Sequence, residues 1–242
     1  MSRFSLEGKK ALVTGANTGI GQAIAIALGE AGAHVVCAGR RSCAETVAQI
    51  ASAEEILLDF ADPMAATGVF AGAGYDILVN NAGIIRRADS VDFTEEDWDA
   101  VMDVNAKALF FTCQAFARAA LSDGRPAKIV NIASLLSYQG GIRVPSYTAS
   151  KHAVQGITRI LANEWAAKGI NVNAIAPGYI ETNNTEALRN DPDRSKAILD
   201  RIPAGRWGAP QDIADTAVFL AAPASNYVHG ETIAVDGGWL AR

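Results

Sequence analysis

Short apolar runs alternate with longer helical stretches along the chain. Lys10–Thr14, His34–Ala38, Ile56–Asp59, Asp76–Val79, Lys128–Ala133, Asn171–Ala176 and Glu231–Val235 read as strands. Most are almost continuously apolar, the pattern of strands buried on both faces of a parallel sheet. Gly21–Ala31, Thr94–Leu121, Ser146–Lys168 and Gln211–Ala221 read as helices. Thr94-x-x-Asp97 opens the second helix with a capping-box pattern that carries Asp in place of Glu. The alternation predicts an α/β fold: one Rossmann-type domain over residues 1–242, a doubly wound parallel sheet of about seven strands with helices on both faces. Residues 177–210 break the rhythm. They are polar, hold Asn183 and Asn184 side by side, and contain Pro177, Pro192, Pro203 and Pro210. They predict a helical lid or substrate loop inside that domain.

Composition narrows the function. Half of the 242 residues are apolar and 19% are charged, which excludes a disordered chain. A net charge of −5 argues against nucleic acid, whose phosphates call for a basic surface. The longest uncharged stretch, Ala11 to Gly29, is interrupted by Thr14, Asn17, Thr18 and Gln22, so no membrane span is expected. Met1 to Lys10 has no apolar run of signal-peptide length, and the expected location is the cytoplasm. Cys37, Cys43 and Cys113 make no Cys-x-x-Cys pair, and His34, His152 and His229 are scattered. Reduced thiols and no metal site are expected.

The first candidate chemistry is Thr14-Gly-Ala-Asn-Thr-Gly-Ile-Gly21, where the first strand meets the first helix. Phosphate can approach a backbone that lacks Cβ atoms, and a helix N-terminus offers free N–H groups. The spacing is Gly-x3-Gly-x-Gly, not the commonest dinucleotide fingerprint. A bare strand-to-helix turn is the alternative. No Asp or Glu lies between Glu30 and Glu45, where an acid would bond the adenosine ribose. Arg40 and Arg41 stand there instead, and a guanidinium pairs with a 2′-phosphate. This favours NADP(H) and leaves NAD(H) open.

Tyr147 and Lys151 are four apart on a helix and share a face. An ammonium at about 4 Å, with an effective dielectric near 20, attracts a phenolate by about 4 kcal/mol. That corresponds to roughly three pKa units and would bring the phenol near 7, suited to acid–base work. Ser134 ends the fifth strand, and Asn80-Asn-Ala-Gly83 follows the fourth. Both then lie beyond the carboxyl ends of strands, where open α/β sheets bind ligands.

Together, Thr14–Gly21, Asn80–Gly83, Asn105, Ser134, Tyr147 with Lys151, and Pro177-Gly178 resemble the short-chain dehydrogenase/reductase family along essentially the whole chain. The resemblance implies that Tyr147 exchanges the hydroxyl proton and Ser134 holds the substrate oxygen. Lys151 would bind the nicotinamide ribose and lower the tyrosine pKa, and Asn105 would support a relay water. It places Gly15, Asn17, Thr18, Gly19, Ile20 and Gly21, with Asn81, Ala82 and Gly83, against the dinucleotide. Asp59 and Phe60 match its adenine site. Pro177, Gly178, Ile180 and Thr182 match positions near the nicotinamide. A homotetramer is also implied.

Ile84–Arg87, Gln139–Tyr147, Tyr179–Thr185, Arg201–Trp207 and Asp236–Arg242 are similar to the branch of that family acting on deoxy sugar acids. There are 14 arginines against 7 lysines, and Arg suits carboxylates. Arg86, Arg87 and Arg143 are candidate substrate contacts; the alternative for the first two is surface pairing with Asp89 or Asp92. Asn183 and Asn184 offer hydrogen bonds to sugar hydroxyls, or else a helix cap. Two other readings stand beside this one: a reductase of another keto substrate (3-oxoacyl or uronate-derived keto aldehyde), and a non-catalytic NAD(P)-binding sensor.

Overall fold

The computed structural model describes residues 2–242. Its strands are β1 (Lys10–Thr14), β2 (His34–Gly39), β3 (Ala53–Leu57), β4 (Ile77–Asn80), β5 (Ala127–Ile132), β6 (Ile170–Pro177) and β7 (Thr232–Val235). All pair in parallel, in the order β3-β2-β1-β4-β5-β6-β7. The helices are α1 (Gly19–Glu30), α2 (Ala44–Val47), α3 (Glu95–Met102), α4 (Leu109–Ser122), α5 (Pro145–Trp165), α6 (Glu186–Arg189), α7 (Pro192–Leu199) and α8 (Pro210–Ala221).

Successive strand residues serve opposite faces, because side chains alternate across a sheet. Leu12, Val36 and Ile129 join one core with Phe116 of α4 and Leu161 of α5. Their neighbours Val13, Val35 and Val130 join the other, with Ile24 and Leu28 of α1 and Ile213 and Leu220 of α8. Both faces are thus covered, which accounts for the unbroken apolar runs. The chain reverses its direction of winding between β1 and β4, and this switch point opens a crevice at the strands' carboxyl ends.

Two elements depart from the periodicity. The third strand lies three residues earlier than Ile56–Asp59, because Glu54 and Glu55 face solvent on an edge strand. Charge on an edge blocks further pairing. The predicted helix Thr94–Leu121 is interrupted: a π turn at Asp103–Ala108 separates α3 from α4. Thr94 does cap α3, its hydroxyl accepting from the Asp97 N–H.

Within the core, Asn80 donates to Asn131 Oδ1 at 2.9 Å, and Asn131 donates to Thr158 Oγ1 at 3.0 Å. This buried chain fixes β4 against β5 and α5, since unpaired amides there would be costly. The three cysteines are buried and unbridged. No helix among the described residues is long and apolar enough to cross a membrane. No group of three His, Cys, Asp or Glu side chains gathers among them.

Candidate active site

The β1–α1 turn is held by the loop after β4. Thr14 Oγ1 accepts from the N–H groups of Asn81 and Ala82, both at 3.0 Å. Asn81 Nδ2 donates back to the carbonyls of Thr14 at 3.0 Å and Gly15 at 3.1 Å. Gly15 has φ +66° and Gly19 φ +59°, left-handed conformations that glycine adopts without penalty. A Cβ on Gly21 would sit 2.2 Å from the Gly15 carbonyl oxygen. The turn is therefore drawn tight from inside, with its outer face open to a crevice of about 560 Å³.

That crevice gathers most of the expected cofactor positions. The glycine-turn residues Gly15, Asn17, Thr18, Gly19, Ile20 and Gly21 line it, as do Asn81, Ala82 and Gly83. Arg40, Arg41, Asp59 and Phe60 form its far end. Thr182, Asn183 and Asn184 reach it from the segment after β6, and the Thr182 methyl would lie 3.4 Å from a Cβ on Gly19. Asn183 and Asn184 thus face this crevice. Ile180 is not part of its lining. Its side chain is buried in the core and packs on Gly208, against which a Cβ would come to 2.4 Å. Pro177, the last residue of β6, is buried, and Gly178 abuts Asp236, leaving no room for a Cβ.

Asn105 sits inside the π turn with both its amide oxygen and its amide nitrogen hydrogen-bonded. Oδ1 accepts from the Ile84 N–H at 2.8 Å; Nδ2 donates to the Ile84 carbonyl at 2.9 Å and to Ser150 Oγ at 3.2 Å. Ser150 in turn donates to the Tyr147 carbonyl at 2.8 Å. The wide turn, a form frequent at functional sites, thus ties the loop after β4 to the helix that carries Tyr147. The side chain clamps the two together.

Ser134, at the end of β5, caps a short turn by accepting from Leu136 N–H. Its hydroxyl also favours the ionised form of the Tyr147 phenol. Lys151 lies buried one turn along α5, Nζ 5.5 Å from the Tyr147 ring centre and donating to the Ile132 carbonyl at 2.7 Å. The expected drop in the tyrosine pKa is not what this geometry produces. Burial raises the Tyr147 pKa; the Ser134 hydroxyl and the Arg87 charge pull it down without reversing that. Lys151 is itself desolvated, which lowers its pKa from 10.5 to about 8.

The three arginines divide. Arg86 Nε pairs with Asp97 at 3.0 Å, and Arg143 Nε with Asp89 at 3.0 Å. Arg143 is also the single non-glycine residue with positive φ, +65°, among the described residues. Its carbonyl accepts from the Ala88 N–H, so it laces the two loops at the mouth together. Arg87 meets no carboxylate among the described residues, and its charge acts on Tyr147.

Comparison with known proteins identifies the family. A family model described as enoyl-(acyl carrier protein) reductase matches residues 15–240. The 2-dehydro-3-deoxy-D-gluconate 5-dehydrogenase of Dickeya dadantii is 55% identical, over all of this chain and 99% of that protein. The chain belongs to the short-chain dehydrogenase/reductase family. As a member it is an oxidoreductase acting between a hydroxyl and a carbonyl group. An Agrobacterium tumefaciens crystal structure with bound NADP, provisionally named 2-deoxy-D-gluconate 3-dehydrogenase, is 70% identical. It covers 100% of both chains with a TM-score of 0.99. A Burkholderia cenocepacia gluconate 5-dehydrogenase, solved with NADP and tartrate, is 40% identical, covers 99% of this chain and 98% of that one, and has a TM-score of 0.91.

Two features of this dehydrogenase escaped sequence reasoning. Thr14 Oγ1 bonds both loop N–H groups, and only its place at a strand end hints at that. The π turn leaves no mark at all, because the apolar positions continue through it.

Proposed function

We propose that the protein interconverts a keto and a hydroxy group on a deoxy sugar acid, with NADP(H) preferred and NAD(H) usable. Its type is that of 2-dehydro-3-deoxy-D-gluconate 5-dehydrogenase and 2-deoxy-D-gluconate 3-dehydrogenase, the names borne by its relatives. The observation that carries the reading is Arg87, a guanidinium without a carboxylate partner whose charge reaches Tyr147. An anionic substrate with its carbonyl at Tyr147 would supply that partner. Bidentate pairing with a carboxylate is what arginine geometry suits.

The residues present fit the dinucleotide. Gly15 and Gly19 open a cradle where backbone N–H groups can meet a pyrophosphate at the α1 N-terminus. Arg40 and Arg41 stand exposed at the far end of the crevice, where a 2′-phosphate would be matched. When bound, the nicotinamide supplies or accepts the hydride. Tyr147 gives its phenolic proton to the substrate oxygen in reduction and takes it back in oxidation. Ser134 hydrogen-bonds the same oxygen and orients it. Lys151 holds a positive charge beside the tyrosine and would bond the ribose of a bound cofactor. Asn105 keeps the π turn open and α5 in register. Residues 177–210, with α6 and α7, act as the substrate lid, and Asn183 and Asn184 hydrogen-bond ligand from it. Exposed Trp98, Leu121 and Ile160 on α3, α4 and α5 suit a homotetramer, and the protein acts in the cytoplasm.

Purified enzyme offered 2-dehydro-3-deoxy-D-gluconate and 2-deoxy-D-gluconate, each with NADP(H) and NAD(H), tests the reading. Turnover of neither acid, with cofactor bound, would sink it. Arg41→Ala should weaken NADPH about tenfold while leaving NADH within twofold, a charge-assisted pair being worth about 1.5–3 kcal/mol. Equal losses for both cofactors would remove the 2′-phosphate role. Arg87→Ala should raise KM for the acid at least tenfold, on the same scale. Arg143→Ala should change it far less, because Arg143 is already neutralised by Asp89 on the surface. Steady-state kinetics of both variants decides between the two arginines.

A further inference from the structure

Three of the motifs that set this chain's branch apart, Gln139–Tyr147, Arg201–Trp207 and Asp236–Arg242, have members outside the crevice. The structure brings those members together. Trp239, in the C-terminal turn, is 5% exposed and belongs to a third apolar cluster with Leu135, Ile198, Ile202 and Trp207. Leu135 is the residue next to Ser134, and Ile198 lies on the lid helix α7. The cluster therefore joins the catalytic strand end to the lid, with the Trp239 indole as a member.

Each side of that indole is tied. Nε1 donates to Gln139 Oε1 at 3.3 Å, on the loop between Ser134 and Tyr147. The Arg201 guanidinium lies 4.0 Å over the ring, where cation–π attraction acts. The Tyr179 ring centre is 4.7 Å away, at the foot of the lid. The turn itself is fixed by Asp236, whose carboxylate accepts from the N–H groups of Gly238 at 2.8 Å and Leu240 at 2.9 Å. The same turn grips the far end of the lid. Gly237 accepts from Ala204 N–H at 3.0 Å, and Arg242 donates to the carbonyls of Asp200 and Arg201, both at 3.2 Å. None of Gln139, Tyr179, Arg201, Asp236 and Trp239 lines the crevice.

We propose that Trp239 is a positioning residue that sets the lid against the Ser134–Tyr147 loop, and so fixes the shape of the substrate pocket without contacting cofactor. The kinetic form of this inference rests on the sugar-acid reading; the structural form does not. Trp239→Phe keeps an aromatic ring and removes the N–H. Gln139→Leu removes the acceptor from the other side and lies outside the catalytic set.

Each variant should raise KM for the acid roughly three- to tenfold, as loss of one hydrogen bond implies. The NADP(H) dissociation constant and kcat should stay within about twofold. The double variant should be no worse than the worse single, because both break one bond. In the absence of substrate, amide hydrogen exchange over Ser195–Ile202 should quicken in both. Unchanged KM with unchanged lid exchange overturns the proposal. So does cofactor binding that weakens in step with KM, the mark of general loosening. If wild type turns over no sugar acid, the functional reading fails and the exchange experiment alone decides for or against Trp239.

Discussion

Tyr147→Phe should lower kcat by about two to four orders of magnitude while NADP(H) binding stays within twofold of wild type. The range is the usual contribution of a positioned general acid–base. The variant loses one oxygen and no packing: the ring stays against Lys151, and Ser134 still ends β5. Without the phenol the substrate oxygen loses its direct proton donor: Ser134 is far too weak an acid, and the Lys151 ammonium is engaged with the Ile132 carbonyl. Near-normal turnover would mean that the proton comes from elsewhere. Loss of cofactor binding would mean that the ring, not the hydroxyl, matters.

The pH profile follows from the same geometry. Burial holds the Tyr147 phenol above its ordinary pKa, so it stays protonated through the neutral range and remains available as an acid. Lys151 behaves oppositely: its pKa is lowered to about 8, so its charge is present below that and fades above it. The ammonium favours the phenolate left behind when Tyr147 gives up its proton. Reduction should therefore be flat from pH 6 to about 7.5 and fall as pH rises through about 8. A kcat/KM profile in the reductive direction measures it, and a rate that climbs through pH 8 would remove Lys151 from that role.

Much of this site is legible in the sequence, and the exceptions have a common cause. A glycine turn between an apolar strand and a helix, and Tyr and Lys at helical spacing, are local patterns, and local patterns survive in one dimension. The strand burial on both faces was legible for the same reason. The failures concern pairings across the fold. Asp97 neutralises Arg86 and Asp89 neutralises Arg143, and no spacing rule picks those partners. Desolvation of Tyr147 and Lys151 depends on what is packed around α5, so the attraction between the two side chains was visible and the larger opposing burial was not. At β3 the edge position overrode the apolar pattern. At Asn105 one inserted residue's worth of backbone widened a helix whose periodicity runs on undisturbed.

Gly21→Ala should cost at least tenfold in cofactor affinity, although Gly21 has an ordinary helical backbone. The reason is packing, not φ. A Cβ there would lie 2.2 Å from the Gly15 carbonyl oxygen and 2.3 Å from Asn81 Nδ2. Neither can yield cheaply. Gly15 is a left-handed turn residue, and the Asn81 amide is held by the carbonyls of Thr14 and Gly15. Relief of the overlap must spread the β1–α1 turn away from the loop after β4. Overpacking of this kind costs about 1–3 kcal/mol. The strain falls on the N–H groups meant to meet phosphate, so binding should suffer beyond stability. Gly19→Ala makes the informative contrast. Its φ of +59° is strained for alanine, but its Cβ would find only the Thr182 side chain, at 3.4 Å and 3.7 Å. Strain of one residue costs roughly 1–2 kcal/mol without moving the loop. Cofactor titration and thermal melts of both variants separate the two. Gly21→Ala should lose more affinity than Gly19→Ala. The reverse order would mean that the left-handed turn, rather than the closeness of α1 to Asn81, governs the dinucleotide cradle.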